Sequence, residues 1–404
     1  MVHPVDIVEV ELTQPLPCDL PSGNVRLLVR LGGRPIGFFA PSVAMSGLRD
    51  DARRTLTEHV REAIPPGLLG AEESVPRAGF DATSVVWPQP PTALSISVVV
   101  TTCEASRGLL RTLDGLRRQS HEPQQLIVVD NRPGTSGVAA QLRQEGLDDV
   151  ILVEEARKGL SRARNAGLAV VDSDLVAFTD DDVVVDPRWT EALLSGFVDD
   201  QVGCVTGLVL PLELRTQAQQ WMEEFGGYSK GFLRRRFDLA GHRADGPLYP
   251  YAAGVFGTGA NAAFRTRTLR ELGGFDEHLG TGRPSRGGED LDIYLSVIQS
   301  GRAIVYEPGA LIRHRHHADF ADLRKQVHGY GVGLAAMLAK RIATSKHERR
   351  EISRRVAAGA AYALSPRSGK NRTKSTTYPA SLTVLELFGM VYGPYAYWRS
   401  RRTG

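Results

Sequence analysis

Cysteine is scarce, and its placement excludes more than its number does. Cys18, Cys103 and Cys204 are the only three in 404 residues. They form no Cys-x-x-Cys pair and no zinc-site spacing with histidine. An odd, scattered set argues against a disulfide framework and fits a reducing, cytosolic compartment. Long apolar runs are also missing. No uncharged stretch reaches the roughly 18 residues that a spanning helix needs, and the nearest candidate, Leu382 to Trp398, carries Glu386 and Pro394. No secretory leader is expected, because Asp6, Glu9 and Glu11 stand where a cationic start and an apolar run belong. A Gly-x-Gly-x-x-Gly turn after the first buried strand is absent as well. That place reads Thr101-Thr102-Cys103-Glu104-Ala105-Ser106, which excludes a nicotinamide or flavin dinucleotide site. It also lacks the glycine-rich basic loop of a nucleotidyltransferase.

What is present is an ordinary globular composition, 42% hydrophobic and 24% charged, with 42 glycines and 23 prolines to serve many turns. The net charge of +3 hides an asymmetry. Residues 321–404 hold sixteen Lys/Arg against four Asp/Glu, which leaves 33 against 42 for residues 1–320. An acidic body with a basic tail speaks of partners rather than of fold.

Three units are expected. Residues 1–90 read as a small α+β accessory unit. Val5 to Leu12 alternates, Val25 to Phe39 alternates around a Gly32-Gly33 turn, and Ser46 to Ile64 has helical spacing before Pro65-Pro66-Gly67. A proline-rich linker follows. Residues 94–320 change character. The β-branched runs Ile96–Val100, Leu126–Asp130, Val150–Val153 and Leu175–Phe178 alternate with helical stretches. That order predicts βαβ units and an α/β, Rossmann-like, mainly parallel sheet. Residues 321–404 read as a basic helical extension.

In open α/β sheets ligands bind beyond the carboxyl ends of the strands. Three such ends here are polar: Thr101-Thr102, Asp130-Asn131 and Thr179-Asp180-Asp181-Asp182. Clustered carboxylates cost several kcal/mol unless a cation compensates, and their hard oxygens suit Mn²⁺ or Mg²⁺. The alternative for the triplet is a solvated loop. Glu289-Asp290 opens a helix through Leu291, Ile293 and Leu295, where acidic residues also serve the helix dipole.

From Ile96 to about His317 the chain resembles the family 2 inverting glycosyltransferases of the GT-A fold, of an actinobacterial polysaccharide and glycolipid type. The motifs, in order, are Ser-Val-Val-Val-Thr-Thr (97–102), Val-Val-Asp-Asn (128–131) and Gly-Leu-Ser-Arg-Ala-Arg-Asn-Ala-Gly (159–167). Phe-Thr-Asp-Asp-Asp (178–182), Gly-Thr-Gly-Ala-Asn-Ala-Ala-Phe-Arg (257–265), Gly-Gly-Phe-Asp-Glu (273–277) and Gly-Gly-Glu-Asp-Leu-Asp (287–292) follow. The resemblance implies that Thr101 and Asp130 lie along the nucleotide, with Asp130 on base or ribose. Arg164 and Asn165 match its Ala-Arg-Asn helix, Arg164 being placed to meet base or diphosphate, ahead of Lys158 and Arg162. It implies Asp182 as direct ligand of Mn²⁺ or Mg²⁺ and Asp180 as ligand, ribose contact or water holder, Asp181 filling the middle. His314 is the implied further ligand, with His316 and His317 open as alternatives. Asp290 is the implied general base, and Glu289 an orienting or acceptor-binding partner. Residues 257–261 would shape the donor-sugar and acceptor pocket. Trp221, Tyr228, Tyr249 and Tyr251 are set aside as packing residues.

The implied activity is transfer of a sugar from a nucleotide-sugar donor, UDP-linked in preference, to a hydroxyl of a glycan or lipid-linked acceptor. The basic tail suggests peripheral membrane contact at the inner face of the plasma membrane. Nucleic acid is not expected, since the body is acidic and no recognition motif appears. A non-catalytic scaffold would be expected to have lost Asp182 or Asp290, and both are present.

Overall fold

The computed structural model describes residues 3–15, 23–40 and 93–403, apart from 366, 369, 372 and 373. The helix expected over Ser46–Ile64, the proline-rich linker and Cys18 lie outside the described residues. The chain opens with strands β1 (Val5–Glu11), β2 (Asn24–Leu31) and β3 (Arg34–Phe39). β1 and β2 are parallel, while β2 and β3 form a hairpin. Its turn needs Gly32 and Gly33, both at positive φ (57° and 78°), a region costly for other residues.

The expected alternation follows: β4 (Ile96–Thr102), α1 (Arg107–Arg117), β5 (Gln125–Asp130), α2 (Val138–Gln144), β6 (Ile151–Glu154), α3 (Leu160–Val170) and β7 (Leu175–Asp180). Strands β6-β5-β4-β7 lie side by side and parallel. Their residues alternate between two buried faces. Val99, Ile127, Val129 and Phe178 join one core, and Ile96, Val98, Val100, Val128 and Ala177 the other. Helices therefore cover both sides. α1 buries Leu109, Leu113 and Leu116 on one face, each side chain worth about 1.5–3 kcal/mol when withdrawn from water. α3 comes close to the opposite face because Gly167 has no side chain; a Cβ there would stand 2.5 Å from Val99.

Beyond β7 come β8 (Val183–Val185), α4 (Trp189–Gly196), β9 (Val202–Pro211), α5 (Gln217–Phe225), β10 (Arg235–Phe237), β11 (Asn261–Arg265), α6 (Thr266–Glu271), α7 (Glu289–Gln299) and β12 (Ala303–His314). The sheet reads β10-β12-β9-β11-β7-β4-β5-β6, with β8 against β12. β11 is antiparallel to both neighbours, so the parallel part joins a mixed part there. Buried Asn261 braces that junction: its amide donates to the carbonyls of Leu208 (3.0 Å) and Ala310 (2.8 Å) and accepts from Trp189 Nε1 (2.8 Å).

The small N-terminal sheet docks on the mixed half. Glu307, fully buried, is paired with Arg34 and Arg234. Arg30 meets Asp186 at 2.7 Å, and Glu9 meets Arg313 at 2.7 Å. Arg313 precedes His314, so this sheet stiffens the end of β12.

Three helices close the chain: α8 (Phe320–Thr344), α9 (Lys346–Leu364) and α10 (Ala380–Arg402). α8 lies against the start of α7. A Cβ on Gly333 would come 2.7 Å from the Gly287 backbone. Asp292 of α7 is held by Arg341 (2.7 Å) and Lys340 (2.6 Å). α10 in turn rests on α8 through glycines, since a Cβ on Gly389 would meet the His328 carbonyl at 2.4 Å. No described helix is long and apolar enough to cross a membrane.

Candidate active site

Register explains the convergence of polar strand ends. Across β4 and β7, Thr101 pairs with Asp180; across β4 and β5, Thr102 pairs with Asp130. The turn from β7 into β8 then exposes the rest of the acidic triplet, and β12, pairing with β8, brings His314 opposite Val183. One nitrogen of His314 and one oxygen each of Asp180 and Asp182 lie within 4.8 Å of one another. His314 Nε2 stands 3.4 Å from Asp182 Oδ1 and 3.7 Å from Asp180 Oδ2.

Two carboxylates and an imidazole aimed at one point are a donor set suited to Mn²⁺ or Mg²⁺, and a divalent charge would balance the carboxylates. The residues fit such an ion. Burial pulls His314 down, but a hydrogen bond to Asp180 and the charges of both aspartates outweigh it and raise its pKa. Burial raises Asp182, helped by Asp180 and opposed by His314. Asp180 ends below its usual value, because His314 and Arg164 overcome its burial.

Asp181 faces elsewhere. It accepts a short hydrogen bond from the Thr102 hydroxyl. Burial, with the neighbouring aspartates, pushes it up to about 6. His316 is also turned away: it is 2% exposed, with Nε2 2.8 Å from Glu223 Oε1. Among these histidines, geometry groups His314 with the carboxylates.

A second set of residues connects this cluster to α7. Arg164, on α3 and 3% exposed, donates to Glu289 Oε1 (3.1 Å) and to the Gly259 carbonyl (3.0 Å), and lies 3.7 Å from Asp180. The Gly259 amide donates to Asp290 Oδ2 at 3.0 Å. A Cβ at position 259 would stand 2.9 Å from the Arg164 guanidinium and 3.0 Å from Asp290, so any other residue there would have to displace them. Asp290 is half-buried, while Glu289 is 6% exposed. Burial and the Asp290 charge push Glu289 up to about 7 despite Arg164. One Glu289 oxygen, Oε2, has no partner.

Several expected contacts take another form. Arg164 is buried in contacts that join three motifs. Asn165 exchanges two 2.8 Å hydrogen bonds with the Phe275 backbone and fixes the 273–277 turn. Asp130 is 2% exposed, and its two oxygens accept from the Arg132 amide (2.9 Å) and the Ser136 hydroxyl. These bonds shape the loop after β5. Thr101 lies in the sheet beside Asp180, while Thr102 makes the side-chain contact.

The structure adds residues that the sequence reading set aside or missed. Tyr228 packs its ring 5.5 Å from that of His314, and its hydroxyl lies 2.5 Å from that of Tyr330 on α8. Tyr330 carried no signal in the sequence, since it sits in a helix outside the recognised motifs. Tyr249 and Tyr251 are core residues, as expected.

A candidate divalent-metal cluster at strand ends thus stands beside a carboxylate pair that opens a helix. Residues 97–273 match the family model described as Glycosyl transferase family 2. The pre-mycofactocin glycosyltransferase of Mycobacterium tuberculosis is 29% identical over 311 residues, 77% of this chain; the chain spans 60% of that relative's length. The glucosyl-dolichyl phosphate glucuronosyltransferase of Haloferax volcanii is 25% identical over 55% of this chain and 69% of its own. A mannosyltransferase from Pyrobaculum calidifontis, solved with GDP-Man and Mn²⁺, is 19% identical over 76% of this chain and 89% of its own, with a TM-score of 0.49.

Proposed function

We propose that this chain is a metal-dependent, inverting glycosyltransferase. It moves a sugar from a nucleoside-diphosphate sugar, UDP-linked in preference, to a hydroxyl of a glycan or lipid-linked glycan presented at the inner face of a membrane. The observation that carries this reading is the Arg164 hub, which ties Asp180, Glu289 and the Gly259–Asp290 contact into one site. The family match over residues 97–273 and the glycosyltransferase names of the relatives support the same class.

Asp180, Asp182 and His314 would hold the ion, Mn²⁺ or Mg²⁺, whose charge offsets that of the departing diphosphate. Asp290, half-buried and steadied by the Gly259 amide, takes the proton of the acceptor hydroxyl as its oxygen attacks the anomeric carbon. The bond from that carbon to the diphosphate oxygen breaks on the opposite face, its electrons leave with the nucleotide, and the configuration inverts. Glu289 keeps Arg164 in place and does not meet the acceptor directly.

The test is a panel of nucleotide sugars followed by thermal shift and Mn²⁺-dependent release of nucleotide. Stabilisation by a donor only with metal is expected. Asp290→Asn should abolish transfer and leave donor binding intact. No response to any donor with metal would refute the proposal, and loss of donor binding in Asp290→Asn would remove that residue from the base role.

A further inference from the structure

Helix α10 is built inside out. Its buried positions are mostly small or polar: Gly389, Gly393, Ala396 and Ser400, with Leu382, Glu386 and Tyr397. Its large apolar residues face outward instead. Val384 is 63% exposed, Phe388 62%, Val391 81%, Tyr395 52% and Trp398 47%. A helix turning about 100° per residue places these five and Arg402 within an arc of about 80°. A contiguous exposed stripe of this kind marks an interaction site rather than ordinary surface.

Charge indicates the occupant. Arg402 lies over the Trp398 ring at 3.6 Å, and Arg399 follows Tyr395 by one turn. Arg399, Arg401 and Arg402 are exposed, and none forms an ion pair with the described residues. Tyr and Trp beside an apolar stripe, with unpaired arginines at its end, match the layers of a bilayer surface.

The stripe also leads toward the proposed base. His328 on α8 lies 6.1 Å from Phe388 and 6.4 Å from Tyr392, ring to ring. Beside it is Arg286, exposed and at a positive φ of 59°, in the loop four residues before Asp290. The Arg286 Cβ is 3.8 Å from where a Cβ on Gly329 would stand.

We propose that the outward face of α10, from Val384 to Arg402, with His328 and Arg286 at its inner border, docks on an anionic phospholipid surface. Docking there sets the Arg286 loop and the start of α7 facing the interface, where a lipid-linked acceptor would present its hydroxyl to Asp290. The inference rests on the glycosyltransfer reading only for this last link.

Flotation of the full-length protein with phosphatidylglycerol and with phosphatidylcholine vesicles at low salt tests it. About a hundredfold preference for phosphatidylglycerol is expected, as for three arginines at an anionic surface. Val384→Glu/Val391→Glu, at exposed positions that leave packing alone, should lower vesicle binding at least tenfold. The same samples are assayed for metal-dependent nucleotide binding, which should be unchanged. Absence of wild-type flotation, or equal flotation of the variant, overturns the docking surface. A dimer that Val391→Glu dissociates, without vesicle binding, overturns it in favour of a second copy. Vesicle binding without nucleotide binding sinks the glycosyltransfer reading and leaves the surface standing; nucleotide binding without vesicle binding does the reverse.

Discussion

Arg164 is the most revealing single perturbation, because three motifs depend on one buried guanidinium. Arg164→Met keeps a long apolar stem for the contact with Phe275, whose ring lies 5.4 Å from the guanidinium carbon, and removes the charge. At 3.1 Å from Glu289, the lost attraction is about 5 kcal/mol at an effective dielectric of 20. Breaking a buried pair costs about 3–5 kcal/mol in practice, because one charge stays behind uncompensated. A proton can limit that loss. Glu289 already sits at about 7, so in the variant it folds neutral once the medium is acidic enough. The destabilisation should therefore be about 4 kcal/mol near pH 8 and shrink by up to about 1.4 kcal/mol per unit toward pH 6. What persists there is the Gly259 carbonyl without its donor and Asp180 without its neighbour. Denaturant unfolding at the two pH values, with chelator present, measures this. Adding Glu289→Gln to Arg164→Met should restore stability near pH 8 without restoring sugar transfer. A loss under about 1 kcal/mol near pH 8, or a double variant no more stable than the single one, would refute the hub.

The metal cluster makes a graded prediction. Asp182→Asn and His314→Ala should each weaken Mn²⁺ binding by at least tenfold in calorimetry. His316→Ala and Asp181→Asn should leave it within about threefold, since His316 pairs with Glu223 and Asp181 with Thr102; equal losses would dissolve the distinction. Glu289 also sets a pH dependence. Its folded pKa is raised from 4.5 to about 7, so the fold favours the protonated acid. That contribution is complete below about 4.5 and is lost as pH rises through 7, about 3 kcal/mol in all. Glu289→Gln should flatten the chelated protein's stability between those limits, and an unchanged slope would place the titration on another group.

The sequence by itself determined the parallel half of the sheet. β-branched runs separated by helical spacing can bury both faces only as βαβ units, and β4 to β7 formed where those runs lie. It also flagged Asp180, Asp182, Glu289 and Asp290 through the order of motifs that carries the family resemblance, since acidic residues at a helix start alone would equally serve the helix dipole. The mixed half was less legible: β9 is buried along its whole length, with no alternation to distinguish it from a buried helix. Tertiary structure alone decided between His314 and His316. Positions two apart share a side of an extended segment and look alike in sequence, and the pairing of β12 with β8 sets His314 beside the aspartates. It also set Asp130 and Asn165 against loop backbone and buried Arg164 between Glu289 and Gly259, contacts that no spacing in the sequence shows. The outward stripe of α10 was decided the same way. Its glycines and its aromatics could each have faced inward, and close approach to α8 selected the glycines.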